Sequence, residues 1–416
     1  MASDPAARPR LGLSGDFLRL WAGQTISIFG DQFTGLALPL IAVLSLRATP
    51  AEMGLLGAAT TAPFLFFGLV VGVLVDRHRR RPILILGDAG RGVLVASIAL
   101  MSLAGLLQIP YLLVLGFMTG ILTVFFDVAY QAYLPAIVSR EELVGANSRL
   151  EATNSTAAVV GPSAAGLVIR ILGAPFAMLF DAATFLVSAG FLSTIRKTEP
   201  VPAAEARPKM LSGIAEGLAV VFRDPRLRSI AGCTSTANFF SASIFALYIL
   251  YVVRDLRLDA IAIGLIFGLS GFGAVAGSVA AGRLAKRFGV GPTIVGGAAI
   301  SGVSGIGLLL ATPPGAEPVL IVTQLFLTFG SVVYNINQVS LRQGLVPLRL
   351  QGRLNATMRF LVWGTLPLGS LMGGFLGTVL GLKPAIAIGI IGGALAVFWV
   401  LFSPVRDLRT MPNPDV

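Results

Sequence analysis

Long apolar stretches recur along the chain, with short polar segments between them. Each stretch has at least about the 20 residues that an α-helix needs to cross the hydrocarbon core of a membrane. The pattern predicts twelve spanning helices, near residues 17–46, 51–75, 82–107, 110–137, 149–171, 174–195, 228–253, 260–283, 291–311, 317–342, 355–380 and 383–403. The gap at 196–226 holds several prolines and many charges, which predicts a linker between a six-helix half at residues 1–195 and a second half at residues 227–416.

The last part of this linker has a pattern of its own. Residues 211–222 carry apolar side chains at helical spacing, between charged neighbours. Such a segment is typical of an amphipathic helix, so we expect it to lie on the membrane surface.

Composition supports a membrane protein. Apolar residues make up 55% of the 416 residues and charged residues 12%, whereas a soluble domain has about 25% charged residues. The mean hydropathy is +0.85, and there is too little polar surface to cover a soluble protein of this size. The sequence therefore predicts an all-α polytopic membrane protein whose main solvent is the lipid bilayer.

The formal net charge of +11 follows the predicted topology. Basic residues cluster in alternate loops, and on the other side we place only Arg47, Arg170, Arg254, Arg257 and Lys383. The positive-inside rule assigns the basic side to the cytoplasm. We therefore expect a multi-pass plasma-membrane protein with both termini in the cytoplasm, and no binding of nucleic acid.

Residue counts exclude several kinds of chemistry. Cys233 is the single cysteine and His78 the single histidine, too few ligands for a zinc or iron–sulfur site. A Ser/His/Asp triad has no suitable histidine, and no Gly-x-x-x-x-Gly-Lys-Ser/Thr loop is present to hold a nucleotide. We expect no metal, no cofactor and no enzymatic activity.

The two halves repeat one another. Gly72-Val-Leu-Val-Asp-Arg77 follows the second stretch, and Gly282-Arg-Leu-Ala-Lys-Arg287 follows the eighth, at the same place in the second half. This repetition predicts two pseudo-symmetric halves in parallel orientation. Such halves enclose a site near the middle of the membrane, which is the layout of an alternating-access transporter.

Several motifs resemble one known family. Residues 72–81 are similar to the pattern Gly-x-x-x-Asp-Arg/Lys-x-Gly-Arg-Arg/Lys, with a departure at Arg79, and Gly161-Pro162-Ser-Ala-Ala-Gly166 is similar to Gly-Pro-x-x-Gly-Gly. Both patterns are signatures of the major facilitator superfamily, and the second belongs to its antiporters. The segments beginning at Phe17 and Tyr133 resemble the drug and siderophore exporter branch, which includes the enterobactin exporter and the macrolide efflux proteins. The resemblance implies the twelve-helix fold of that superfamily and, through Gly161, Pro162 and Gly166, export.

Asp31 is the leading candidate for proton coupling. It lies about 21 Å into the first helix at 1.5 Å per residue, where a charged group is costly and usually lines a cavity. Gln24, Ser27 and Thr34 share its helical face. Such a carboxyl could bind and release a proton during transport. The alternative is an uncharged or hydrogen-bonded acid that only packs helices together.

The candidate substrate cavity has a second wall in the other half. Its members are polar or aromatic side chains at helical spacing, namely Thr234, Asn238, Ser241, Phe245 and Tyr248 in the seventh stretch and Tyr334, Asn337 and Gln338 in the tenth. A mostly apolar pocket with a few polar groups suits an amphipathic ligand. Hydrogen bonding between helices is the alternative for any one of them.

A third group of residues predicts a cytoplasmic gate. The resemblance implies that the loop with Gly72, Asp76, Arg77 and Arg80 locks the two halves together while the other side is open. Asp127 lies in the cytoplasmic half of the fourth stretch, where it could pair with Arg77 or Arg80. The alternative is that these arginines only set the topology.

These observations favour a secondary active transporter, with a proton-coupled antiporter as the leading form. Its substrate is expected to be a small amphipathic compound resembling a drug, a macrolide or a siderophore, with protons and the lipid bilayer as its other partners and a monomer as its oligomeric state. The alternatives are an importer or facilitator of a small metabolite on the same fold, or a non-transporting membrane receptor.

Overall fold

The computed structural model describes residues 15–139, 142–197 and 210–410. Described residues form helices joined by short turns. The helices are α1 (Gly15–Leu40), α2 (Pro50–Arg77), α3 (Arg80–Leu103), α4 (Ile109–Ile137), α5 (Leu143–Leu172), α6 (Ala174–Ser193), α7 (Met210–Arg223), α8 (Pro225–Arg254), α9 (Ala260–Phe288), α10 (Val290–Ser304), α11 (Ile306–Leu310), α12 (Ala316–Leu345), α13 (Leu348–Trp363), α14 (Thr365–Val379), α15 (Leu382–Leu395) and α16 (Phe398–Leu401). A short π-helical segment, Ile41–Ser45, extends α1.

Local sequence explains where several of these helices begin and end. Before α2, the Thr49 amide donates to Glu52 Oε2 at 2.7 Å, and the Glu52 amide donates to Thr49 Oγ1 at 3.3 Å, which is a capping box. Pro50 follows at the first helical position, where its missing N–H costs nothing. Asp259 caps α9 in the same manner by accepting from the Ala262 amide at 2.9 Å. The short loops are therefore specified by the sequence.

The helices provide the predicted twelve membrane spans. Eleven segments of the described chain are long and apolar enough to cross a membrane. The twelfth is α2, which has 28 residues and no charged residue between Glu52 and Asp76. The chain is an all-α polytopic membrane protein with the twelve-helix architecture expected from its hydrophobic pattern.

Some predicted stretches are interrupted. The stretch near 355–380 begins earlier, at Leu348, and breaks at Gly364 between α13 and α14. Pro367 explains the break, because it has no N–H to donate to the carbonyl of Trp363, four residues earlier. A second break falls at Gly305, between α10 and α11.

Two groups of helices pack around the centre of the molecule. In the N-half, α1 contacts α5 and α6, and α4 contacts α2 and α3. In the C-half, α8 contacts α14 and α15, and α12 contacts α9 and α10. The N-half is α1–α6 and the C-half is α8–α16. α6 ends at Ser193 and α8 begins at Pro225, while the domain boundaries at 195 and 226 stay predictions.

We name the two membrane-surface faces of the molecule by their position relative to the linker. The linker face carries the beginning of α1, the turn between α2 and α3, and α7, and the far face carries the turns between α1 and α2 and between α8 and α9. The halves meet through α5 against α9 and through α2 against α14. These two contacts occupy equivalent places in the two halves.

Glycines allow both contacts to be close. A methyl group on Gly166 of α5 would lie 2.4 Å from Ala260 O of α9, and one on Gly54 of α2 would lie 2.6 Å from Gly374 Cα of α14. Both crossings lie in the half of the membrane nearer the far face. There Arg254 Nη2 also donates to Ala48 O at 2.9 Å. The two halves are therefore closed against each other at the far face.

The linker helix α7 differs from its prediction. We expected this segment to lie on the membrane surface, but it packs against α13 and α8. A methyl group on Gly217 would lie 2.1 Å from Thr357 Oγ1 of α13, and Val221 is fully buried. The apolar face of α7 is covered by the C-half because α13 extends farther towards the linker face than the sequence pattern indicated.

Candidate functional site

A cavity of about 870 Å³ lies inside the N-half and is called here the N-half cavity. Helices α1, α3, α4 and α5 form its walls. Its lining residues are Gln24, Ser27, Ile28, Asp31, Arg91, Phe126, Asp127, Tyr130, Asn147, Ser148, Leu150, Glu151, Ala152, Asn154 and Ser155. Most of these are polar or charged, although the helices that carry them cross the membrane.

Asp31 lies on the α1 wall of this cavity. Gln24, Ser27 and Asp31 line it together, as their helical spacing predicts. The Asp31 side chain is accessible to water because it faces the cavity rather than lipid. The Gln24 side-chain nitrogen is buried and has no hydrogen-bond partner among the described residues. Thr34, one turn farther along the chain, does not line the cavity.

Buried charges surround Asp31. Arg91 pairs with Asp88 on the same helix, and both residues are buried. The Arg91 guanidinium also lies 4.2 Å from the ring centre of Phe126. Asp31 interacts electrostatically with Asp181, Arg91, Asp88 and Asp127. Around Asp31 the acidic side chains therefore outnumber the one basic side chain, Arg91.

Asp181 packs directly on the neighbouring turn of α1. It is fully buried, and a methyl group on Gly30 would lie 2.4 Å from Asp181 Oδ1. Thr184 Oγ1 donates to the same oxygen at 3.1 Å. Asp181 is therefore part of the packing behind Asp31 and does not line the cavity.

The α5 wall was missed by the sequence analysis. Its residues are polar and follow one another at helical spacing, namely Asn147, Ser148, Glu151, Asn154 and Ser155. The signal was a polar stripe of period 3.6 at the beginning of an apolar stretch. The predicted fifth stretch begins at residue 149 and therefore divides this stripe, which hides its periodicity.

A second cavity, of about 270 Å³, lies between the halves and is called here the inter-half cavity. It is lined by Phe64, Gly68 and Gly72 of α2, Val124, Asp127 and Val128 of α4, and Asn355, Ala356, Arg359, Phe360 and Trp363 of α13. Asp127 borders both cavities, so they adjoin.

An aromatic pair lines the inter-half cavity at mid-depth. The rings of Phe64 and Trp363 meet edge to face across the two halves, with ring centres 4.8 Å apart. The Arg359 guanidinium lies 4.8 Å from the centre of the Trp363 ring. From this point towards the linker face, the cavity is lined by α2, α4 and α13. The molecule is thus closed at the far face and has its inter-half space on the linker side.

The predicted gate residues are not brought together in this state. Asp127 lies roughly 15 Å inside α4 from its end at Ile137, and its electrostatic partners are Arg91 and Arg359, whereas we expected Arg77 or Arg80. Arg77 is exposed at the end of α2. The reason is that Asp127 sits at the depth of the cavities and the arginines at the helix ends.

Gly72 of the gate motif is open on its cavity side. A methyl group on Gly72 would meet no described atom within 4 Å. Gly282, its counterpart in the C-half, is equally open. The side chain of Asp76 lies outside the described residues. A locking role for Gly72, Asp76, Arg77 and Arg80 remains a prediction for another state of the molecule.

A third cavity, of about 220 Å³, lies inside the C-half and is called here the C-half cavity. It brings together Thr234, Asn238, Ser241 and Tyr334. Thr234 Oγ1 and Tyr334 Oη share a hydrogen bond of 2.7 Å, and Asn238 Nδ2 donates to Val362 O at 3.3 Å. None of the described residues that line this cavity is charged. It presents neutral hydrogen-bonding groups, in contrast to the N-half cavity.

Four predicted cavity residues lie elsewhere. Phe245 is 61% exposed and does not line the C-half cavity. Tyr248 packs against Phe267 with ring centres 5.3 Å apart. Asn337 Nδ2 donates to Val333 O of its own helix at 2.9 Å, and Gln338 Nε2 donates to Asn335 Oδ1 at 2.9 Å.

Besides Tyr334, the polar residues of α12 that line the C-half cavity are Ser331 and Asn335. The sequence could have predicted Asn335 as a cavity residue, because it adjoins Tyr334. The choice between Asn335 and the buried Asn337 depends on the rotation of α12, which one helix alone does not reveal.

The Gly161-Pro162…Gly166 motif lies where α5 crosses two helices. A methyl group on Gly161 would lie 2.4 Å from Gln32 Cγ of α1. On the opposite side of α5, a methyl group on Gly264 of α9 would lie 2.5 Å from Pro162 O. The motif therefore thins α5 at the contact between the halves. Within the described residues, no group of three His, Cys, Asp or Glu side chains could hold a metal ion.

Spanning helices in two groups, with cavities within and between them, define the class of polytopic membrane transporters. Residues 20–366 match the family model of the Major Facilitator Superfamily. Because this match covers most of the chain, the protein belongs to the Major Facilitator Superfamily and is a transporter rather than an enzyme.

Individual relatives agree with this assignment. The chain is 27% identical to the multidrug efflux pump Tap of Mycobacterium tuberculosis (strain ATCC 25618 / H37Rv), over 96% of either chain. It is 26% identical to the enterobactin exporter EntS of Escherichia coli O1:K1 / APEC, over 82% of this chain and 80% of that protein. Among solved structures, a bacterial homologue of the iron transporter ferroportin in its inward-facing state has a TM-score of 0.76 at 16% identity, over 93% of this chain and 98% of that one. At that identity the likeness concerns the fold.

Proposed function

We propose that the protein is a proton-coupled antiporter that exports a small amphipathic compound, of the drug, macrolide or siderophore kind, across the plasma membrane. The observation that carries the proposal is Asp31, a carboxyl that faces a water-accessible cavity at mid-depth of a membrane-spanning helix. The names of the relatives, a multidrug efflux pump and an enterobactin exporter, support the direction and the kind of substrate.

Asp31 is the proposed proton-coupling residue. A charged carboxylate is costly in the membrane interior, and the neighbouring acids Asp127 and Asp181 add repulsion to it. Proton binding removes both costs, and a bound cationic group would do the same. Proton and substrate therefore compete for the same negative region, which is the requirement of antiport.

The substrate is proposed to bind where the cavities adjoin. The α5 wall with Asn147 and Glu151 offers polar contacts, and the group around Phe64 and Trp363 offers an apolar, aromatic surface. Pockets of this composition favour ligands with an apolar body and a few polar groups. We propose the neutral C-half cavity, with Asn238 and Tyr334, as an additional hydrogen-bonding subsite.

Alternating access is proposed to proceed by rocking of the halves. The present state is closed at the far face, where Gly166 meets α9 and Gly54 meets α14. In the opposite state these crossings would open, and Gly72 would approach the C-half. We place the linker face and both termini in the cytoplasm because the basic loops lie there. Both halves and all cavities belong to one chain, so we propose a functional monomer.

An accumulation assay tests this function. Cells that express the protein are loaded with a panel of fluorescent amphipathic dyes, with and without an uncoupler. We expect lower accumulation than in control cells, and loss of this difference with the uncoupler and in Asp31→Asn. The matched control is Asp255→Asn, an exposed carboxyl on the far face, which should export as the wild type does.

The contrary outcomes are distinct. Higher accumulation in expressing cells would indicate an importer. Export that continues in Asp31→Asn with full sensitivity to the uncoupler would remove Asp31 from coupling but leave export intact.

A further inference from the structure

A basic cleft of about 870 Å³ opens on the linker face, apart from the three cavities. Three arginines from separate parts of the chain line it, Arg19 of α1, Arg81 of α3 and Arg196 just after α6. The remaining lining residues belong to the end of α6 and the turn after it, and none of the described residues that line the cleft is acidic. We propose that this cleft binds the phosphate headgroup of an anionic phospholipid.

Hydrogen bonds to the end of α6 hold the Arg81 side chain at the wall of the cleft. Its Nε donates to Leu192 O at 3.0 Å, and its Nη2 donates to Ser193 O. These carbonyls end α6, where the last helical turn leaves acceptors without intrahelical partners. A guanidinium has five N–H donors, so these bonds fix its orientation and leave others for an anion. Guanidinium groups match the oxygens of a phosphate in a planar, two-pronged contact.

Arg19 and Arg196 are brought together by one carboxylate. Asp16 Oδ1 accepts from Arg19 Nη1 at 2.7 Å and from the Arg196 amide at 3.2 Å. Asp16 Oδ2 accepts from the Lys197 amide at 2.9 Å. Asp16 thus ties the beginning of α1 to the chain leaving α6. It offsets one positive charge without lining the cleft, which therefore keeps a positive excess.

The position of the cleft favours a lipid over free phosphate. Its arginines lie at the ends of membrane-spanning helices, while its inner wall includes Val187, which is 45% exposed on α6. The neighbouring Leu186 is 49% exposed, so the cleft continues onto an apolar surface that faces the membrane. A phospholipid contacts both parts, whereas inorganic phosphate contacts only the arginines. Basic pockets between membrane helices at this level are suited to anionic lipid headgroups.

The positive-inside rule accounts for arginines on this face, but it requires no convergence of three arginines on one cleft. If these arginines only set the topology, each arginine of the linker face should attract anionic lipid about equally. Arg283 of α9 is a suitable comparison, because it is exposed on the same face and its Nη1 donates only to Val279 O of its own helix, at 3.0 Å.

Native mass spectrometry of the purified full chain in a neutral detergent tests the proposal. The protein is titrated with dioleoyl phosphatidylglycerol and, separately, with dioleoyl phosphatidylcholine, and the bound lipids are counted. We expect a saturable phosphatidylglycerol site that phosphatidylcholine does not fill. Arg196→Ala removes an exposed side chain and should weaken this site about fivefold, Arg81→Gln should weaken it at least as much, and Arg283→Ala should leave it unchanged.

Three outcomes would overturn the proposal. They are equal binding of the two lipids, equal losses in Arg196→Ala and Arg283→Ala, and displacement of phosphatidylglycerol by millimolar inorganic phosphate, which would indicate a free-phosphate site. Arg196 is exposed, and its side chain makes no hydrogen bond or ion pair with another described residue, so Arg196→Ala should fold normally. Retention of full phosphatidylglycerol binding in this variant would be a fourth contrary outcome.

Discussion

The crossing of α5 and α9 should control which face of the transporter is closed. In Gly166→Ala the new methyl group would lie 2.4 Å from Ala260 O and 3.1 Å from Gly264 Cα. Both are backbone atoms, so α9 itself must move. Overpacking of this kind costs about 1–3 kcal/mol, and it acts only in the state closed at the far face. The equilibrium should therefore shift about 5–150-fold towards the state that is open there.

Distances between spin labels on the far face measure this shift. In a Cys233→Ser background, labels are attached at Leu106→Cys in the N-half and Glu317→Cys in the C-half, both exposed on the far face. Double electron–electron resonance should show a short distance in the parent and a larger population of a longer distance in Gly166→Ala. Gly296→Ala is the matched control, because its methyl group would meet no described atom within 4 Å. Identical distance distributions in the two glycine variants would refute the reasoning.

Three further predictions concern the cavities and the linker helix. Trp363→Ala removes the ring between Phe64 and Arg359 and should weaken binding of an amphipathic dye about tenfold; a titration with unchanged affinity would contradict this. Asp127→Asn and Arg359→Gln should be coupled by about 0.5–3 kcal/mol in a double-mutant cycle on dye affinity, whereas strictly additive effects would contradict an electrostatic link. In Gly217→Leu the larger side chain cannot fit against α13, so the free energy of unfolding should fall by about 1–3 kcal/mol. Proteolysis of the linker should also become faster, and an unchanged cleavage rate would contradict the packing of α7.

Much of the fold was predictable because the membrane imposes strong local rules. The apolar stretches predicted the spanning helices, and the repeated motifs at Gly72 and Gly282 indicated the internal duplication. The breaks near Gly305 and Gly364 were harder to predict, because they interrupt helices without interrupting the apolar pattern. The docking of α7 depends on the length of α13, which is a tertiary property.

The cavity walls were predictable only in part. Helical spacing correctly grouped Gln24, Ser27 and Asp31, since all three lie on one face of one helix. The same rule could not decide which face of α12 turns inward, so it favoured Asn337 over Asn335. The partner of Asp127 was also beyond the sequence, because Arg359 comes from the other half of the chain and approaches only through the fold.

The most direct test of the central claim is transport by the purified protein in liposomes with an imposed pH difference. A difference of about one pH unit supplies about 1.4 kcal/mol per proton, enough for a tenfold gradient of a substrate exchanged one for one. We predict that the wild-type protein concentrates an amphipathic dye on the acidic side. Asp31→Asn should only equilibrate the dye, without any uphill accumulation. Uphill accumulation of equal size in Asp31→Asn, or wild-type transport that ignores the pH difference, would contradict proton coupling through Asp31.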